Sequence, residues 1–182
     1  MRVHTDQDSS FKGDFSEDLL SRKVKKTDTG GHRPSNNSRT EKRIGLVLYT
    51  FRAILHVATG GSGIYDELWG PGMLHANDAV NKSVWSDGFS PYTARTGEQW
   101  QLNDRDHVFG AKAIYWLKRE HSESKFQLKG QEAIWVGKSK VTPDADLVVP
   151  IKWNGHANKY DLGPTVTAVK VEVDDTCFPL RI

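Results

Sequence analysis

The most regular stretch of helical patterning begins at Ile44, where Ile44, Val47, Leu48, Phe51 and Leu55 recur at three-and-four spacing until Gly60-Gly61 closes the run. Such a segment reads as one long helix with a single apolar stripe, and the stripe requires a packed partner. Glu41 stands near its N-terminus. Ser38 as N-cap with Glu41 three residues later has the form of a capping box, the carboxylate reaching back to the free donors of the first turn. On the same helix Gly45, Leu48 and Arg52 fall on the face that carries Glu41, with Lys42 and Tyr49 flanking it.

The chain of 182 residues is long enough for one large or two small domains, and 37% apolar residues are enough for packed cores of the smaller kind. A formal charge of +2 is too mild to identify a polyanion partner, so that argument depends on where the basic residues fall. A single cysteine, Cys177, rules out an internal disulfide framework and leaves no cysteine-rich zinc site to read. Neither an apolar run of spanning length nor a secretory leader is legible, so the expectation is an intracellular protein without a membrane partner.

Before the long helix, Arg2 to Thr5 reads as a short strand, Phe15 to Leu20 as a helix and Lys23 to Thr27 as a second strand, with Gly30-Gly31 and Pro34 breaking the chain. Arg22-Lys23-Val24-Lys25-Lys26 is the densest basic run. It reads as a solvated face, a phosphate contact or a nuclear import signal. With Arg33, Arg39, Lys42, Arg43 and Arg52 it keeps residues 22–52 predominantly positive around Glu41, so Lys25, Lys26, Arg39, Lys42, Arg43 and Arg52 are the candidate nucleic-acid contacts.

A second helix is expected from about Glu67 to Lys82, with Trp69, Met73, Ala76 and Val80 on one side and Trp69 in the core; its prolyl-glycine is tolerated in a first turn. His56 and His75 lack a His or Cys partner at i, i+4 and read as core or surface histidines. Residues 84–108 are rich in turn formers, and a domain boundary is expected near Gln101, dividing the chain into 1–100 and 101–182. Beyond it Ala111, Ala113, Tyr115 and Leu117 alternate, Ala133 to Val136 and Leu147 to Ile151 form short apolar runs, and Val169, Val171 and Val173 alternate again. That pattern predicts a small antiparallel, barrel-like all-β domain. Trp116, Trp135 and Trp153, interspersed with lysines, either fill its core or stack on bases.

Four motifs occur in order: Thr5-Asp6-Gln7-Asp8-Ser9-Ser10-Phe11, Asn37-Ser38-Arg39-Thr40-Glu41, Ser90-Pro91-Tyr92-Thr93 with Gly97, and Phe109-Gly110-Ala111, followed by Ile134-Trp135-Val136-Gly137-Lys138. In this order they resemble the second half of a retroviral-type integrase core, in particular that of copia-type retrotransposon integrases, over about residues 2 to 140. Asp6 and Glu41, with 34 residues between them, match the family's spacing of its second and third catalytic acids. The chain keeps the family's Asp and Phe in the first motif and loses its Asn-Gly.

The resemblance implies an α/β fold, the helix-rich C-terminal part of a ribonuclease-H-like integrase core, followed by the small β domain. It implies DNA integration by metal-dependent polynucleotidyl transfer in a transposable element, with Asp6 and Glu41 as catalytic residues and ligands of magnesium or manganese. DNA, the remainder of an element polyprotein and further copies of the chain are the implied partners, and the nucleus the implied site of action. The family's first acid lies far upstream of its second, and the five residues before Asp6 contain none, so the chain alone is expected to be inactive. The competing readings are a non-catalytic nucleic-acid-binding module, with Glu41 only a helix cap, and a remnant reading frame.

Overall fold

In the computed structural model, residues Arg2–Thr5 form strand β1, Asp14–Ser21 helix α1 and Lys25–Asp28 strand β2. The two strands run parallel, Arg2 opposite Lys25 and Thr5 opposite Asp28. Parallel neighbours need a crossover, and α1 supplies it. Gly13, at φ 59°, delivers the chain into α1, whose first turn carries Asp14 and Glu17 at the positive end of the helix dipole. Leu19 is the residue of α1 that is buried, and its carbonyl accepts the Val24 N–H at 2.9 Å as the chain turns into β2.

The structure describes residues 2–5, 12–28, 38–61, 65–85, 88–102, 106–116 and 130–181. They fall into two compact units, Met1–Leu46 and Val47–Ile182, so the change of pattern near Gln101 marks a switch from helix to strand within the second unit. Helix α2 (Ser38–Thr59) contributes its first turns to one unit and the rest to the other.

In the second unit, Val47, Phe51, Leu55 and Ala58 of α2 are buried, as the stripe demands; Ile44, in the part of α2 that belongs to the first unit, is 53% exposed. A 3-10 turn (Asp66–Leu68) leads into α3 (Trp69–Lys82), which buries Gly72, Ala76 and Val80. Gly72 receives the Phe51 ring of α2: a Cβ there would lie 2.6 Å from a ring carbon of Phe51. Trp69 departs from expectation. It is 60% exposed: although it shares a side of α3 with Ala76 and Val80, it is the first residue of the helix, one turn ahead of the stretch where Gly72, Ala76 and Val80 are buried.

The rest is an antiparallel sheet: β3 (Lys112–Trp116), β4 (Gly130–Lys138), β5 (Asp146–Asn154), β6 (Lys159–Leu162), β7 (Val166–Ala168) and β8 (Val171–Asp174), in the order β6-β5-β4-β3-β8 with β7 also on β5. Both faces of its centre are buried. Ile134, Val136, Val149 and Ile151 join the helices and Phe109 in one core, while Ala133, Trp135 and Val148 pack with Ala113, Tyr115 and Ala168 in a second. Each large side chain so buried contributes on the order of 1.5–3 kcal/mol.

The expected barrel does not close among the described residues. The far edge of β5 is occupied by β6 and β7 in succession, β8 turns onto β3, and the sheet stays open with β6 and β7 along one edge and β8 along the other. The antiparallel half of the expectation holds, and the fold is helix layered on an open, curled sheet.

Candidate functional site

Glu41 is exposed in the first turn of α2. The helix begins at Ser38, so Ser38 is its first described residue, and Asn37 lies outside the described residues. Asp6 follows the last residue of β1 in the chain and also lies outside them. The distance between the two acids is therefore not part of the described structure, and among the described residues no three His, Cys, Asp or Glu side chains form a group able to hold a metal ion. Of the two expected metal ligands, Glu41 is the described one, an exposed carboxylate.

The basic candidates divide between the units. Lys25, Lys26, Lys42 and Arg43 belong to the first, where Lys25 and Lys42 are exposed, Arg43 is half-buried, and the Lys26 ammonium donates to Ser16 Oγ at 2.9 Å. Arg52 is exposed in the second unit, and the side chain of Arg39 is outside the described residues. Exposed lysines on a solvated face are compatible with phosphate contact, whereas Lys26 is held by Ser16.

The second unit contains a cleft of about 870 Å³ between α3 and β4, with the segment at 139–141 on its rim. Trp135, only 2% exposed, forms its floor and is fixed by its indole N–H, which donates to Asp146 Oδ1 at 3.0 Å. His75 and His107 meet this indole edge-on, with ring centroids 5.5 and 5.6 Å away. Burial, opposed only in part by the carboxylates of Asp78 and Asp106, holds the His75 imidazole below its ordinary pKa. Asp78 pairs with Lys82 at 2.8 Å and, more loosely, with Lys140 at 3.9 Å; Asp106 pairs with Lys138 at 3.0 Å.

A shift of register between Trp135 and Gly137 makes a β-bulge at the cleft wall, and Gly137, at φ 148°, leaves His75 Nδ1 4.0 Å from where a Cβ would stand. Bulges re-aim side chains beside sites of this kind.

No protein-family model matches the chain, and no curated protein matches it. Among solved structures it is similar to a chain of the simian T-cell lymphotropic virus intasome in complex with PP2A regulatory subunit B56 gamma, at 14% identity and a TM-score of 0.44, over 93% of this chain and 58% of that one. So loose a superposition carries no argument. The chain spans little more than half the length of the structure it matches.

Sequence reasoning passed over the cleft. His75 reads as a core or surface histidine because its neighbours in the site, Trp135 and Asp106, are far away in the chain. The one local signal was Trp135-Val136-Gly137-Lys138, an apolar strand run interrupted by a glycine, which is how a bulge is written in sequence. Among the described residues no helix is long and apolar enough to cross a membrane.

Proposed function

We propose that this chain acts in DNA integration, as the C-terminal part of a copia-type integrase core with its following sheet. The observation that supports the reading best is the parallel β1–α1–β2 unit. In parallel α/β arrangements ligand-binding groups gather at the carboxyl ends of strands, and Asp6 is the next residue after the carboxyl end of β1. Glu41, in the first turn of the helix that follows β2, is the second acid, and the ordered series of motifs supplies the family.

In this reading Asp6 and Glu41 each hold a divalent magnesium or manganese ion together with an acid supplied from upstream. The ion would activate the attacking oxygen and stabilise the leaving one. Lys25, Lys26, Arg39, Lys42, Arg43 and Arg52 position DNA through its phosphates, without reading bases. DNA, other copies of the chain and the rest of an element polyprotein are its partners, and the nucleus its place of action.

The test joins the missing upstream acid to this chain. Magnesium-dependent strand transfer should appear in the joined protein, and Glu41→Gln and Asp6→Asn should each abolish it with little change in melting temperature. Full activity of the joined Glu41→Gln protein would remove Glu41 from the site, since glutamine can still cap a helix but is a poor magnesium ligand.

A second reading, a non-catalytic nucleic-acid-binding module, is favoured by the β5–β6 hairpin. Trp153, 47% exposed, meets Tyr160 at 5.1 Å, a partly exposed aromatic pair of the kind suited to stacking on bases, with Lys152 and Lys159 exposed at adjacent positions of the same hairpin. Binding that ignores divalent ions and is lost in Trp153→Ala would favour this module over the enzyme.

A further inference from the structure

We propose that the cleft between α3 and β4 is a binding site for a small planar aromatic molecule carrying one negative charge. Its volume, about 870 Å³, lies within the range of about 300–1,000 Å³ typical of small-molecule sites. Its floor is the fixed indole of Trp135, and its mouth is bordered by the exposed apolar side chains of Leu74 and Val141. A ring entering the cleft meets apolar and aromatic side chains, contacts that add to what area burial alone contributes.

The polar groups in the cleft specify the rest of the ligand. His75 has no hydrogen-bond partner for its ring nitrogens among the described residues, and it lines the cleft. Burial keeps this imidazole neutral, so it presents one donor and one acceptor to whatever enters. At the rim a single carboxylate, Asp78, serves two ammonium groups, Lys82 at 2.8 Å and Lys140 at 3.9 Å. One positive charge is therefore unmatched at that end, and Lys140 is the looser and more exposed of the two. Lys82 also lies 4.7 Å from the ring centroid of Trp100, which keeps the charge beside aromatic surface. A neutral ring would satisfy the walls without engaging Lys140, whereas one anionic group at that end would meet its ammonium. The β-bulge at Trp135/Gly137 opens the wall where a side chain would otherwise narrow the site toward His75.

The test uses the full chain and anilinonaphthalene sulfonate, an aromatic monoanion with a flat naphthalene ring system, whose fluorescence rises on leaving water. One-to-one, saturable binding with energy transfer from tryptophan is expected. Leu74→Glu, at an exposed mouth position, should weaken it at least about tenfold by placing a like charge against the probe. Lys140→Gln should weaken it about fivefold, the order expected of one partly exposed charge pair. Phenylnaphthylamine, the uncharged counterpart, should bind more weakly than the sulfonate and be indifferent to Lys140→Gln. The proposal is overturned by unsaturable binding, by equal affinity for the charged and neutral probes, or by a Leu74→Glu protein of unchanged melting temperature that binds as before. The His75 ring resonances give a second readout: they should shift on titration with the probe, and their failure to move while binding saturates would place the probe elsewhere.

Discussion

Gly110 lies against Ala58 so closely that a Cβ added to Gly110 would come 2.4 Å from the Ala58 Cβ. Gly110 also sits at φ 83°, and its N–H donates to Trp135 O at 2.8 Å, so the backbone cannot slide away without breaking the tie to β4. Helix α2 and the entry to the sheet thus touch backbone to backbone. Gly110→Ala combines a left-handed conformation with overpacking and should lower stability by at least about 2 kcal/mol. Urea unfolding measures it, and a loss below about 0.5 kcal/mol would show that the contact can relax.

Ser90 caps the short helix α4 (Pro91–Thr96): its Oγ accepts the Thr93 N–H at 3.0 Å, and the residue is 2% exposed. Ser90→Ala should cost about 1 kcal/mol, and Ser90→Asp should lose less where the carboxylate keeps the same bond. Thermal melts of the two variants side by side check the order.

His75 carries the pH dependence that the described residues foresee. Burial lowers its pKa in the folded state, Asp78 and Asp106 raise it and Lys82 lowers it, the net being downward from an ordinary value of about 6.5. The unfolded chain therefore takes up a proton first as pH falls. Stability should be undiminished by this group above about pH 6.5 and decline below it, until the folded-state imidazole also protonates. His75→Gln should flatten that part of the profile in urea denaturation from pH 7.5 to 5, and an unchanged slope would assign the pH dependence to other groups.

DNA binding, if backbone-led as proposed, should weaken linearly on a logarithmic salt scale and be indifferent to sequence. Lys42→Gln, at an exposed position of α2, should lower affinity uniformly across sequences and reduce the salt slope by about one. Fluorescence anisotropy across a salt series decides this, and a flat series would remove the phosphate contacts.

Elements governed by local pattern were legible beforehand. The stripe Val47, Phe51, Leu55 names the buried face of α2, and the alternation about Ala113 and Tyr115 names β3, because period and burial are written in adjacent residues. Helix α4 was hidden in a segment rich in turn formers, although Ser90, Pro91 and Gly97 are its cap, its first turn and its left-handed exit at φ 78°. The open edges of the sheet were illegible, because closure depends on which strand β5 accepts along its far side. Of the candidate site, the position of Glu41 in a first helical turn was legible; the cleft was not, since Trp135 meets His75 and His107 only through the fold.

The Arg181 guanidinium donates to Val57 O at 2.7 Å, 124 positions away in the chain, and Leu180 beside it is fully buried in the core that α2 shares with the sheet. A ribosome making this chain releases α2 long before the residues that finish its packing. Phe51 and Leu55 must wait, wet and available to wrong partners, until the segment near residue 180 emerges. Contacts of such separation slow the search for the native state, so this unit should fold late and as a whole, and should gain more than most from a chaperone that covers an apolar helix during synthesis.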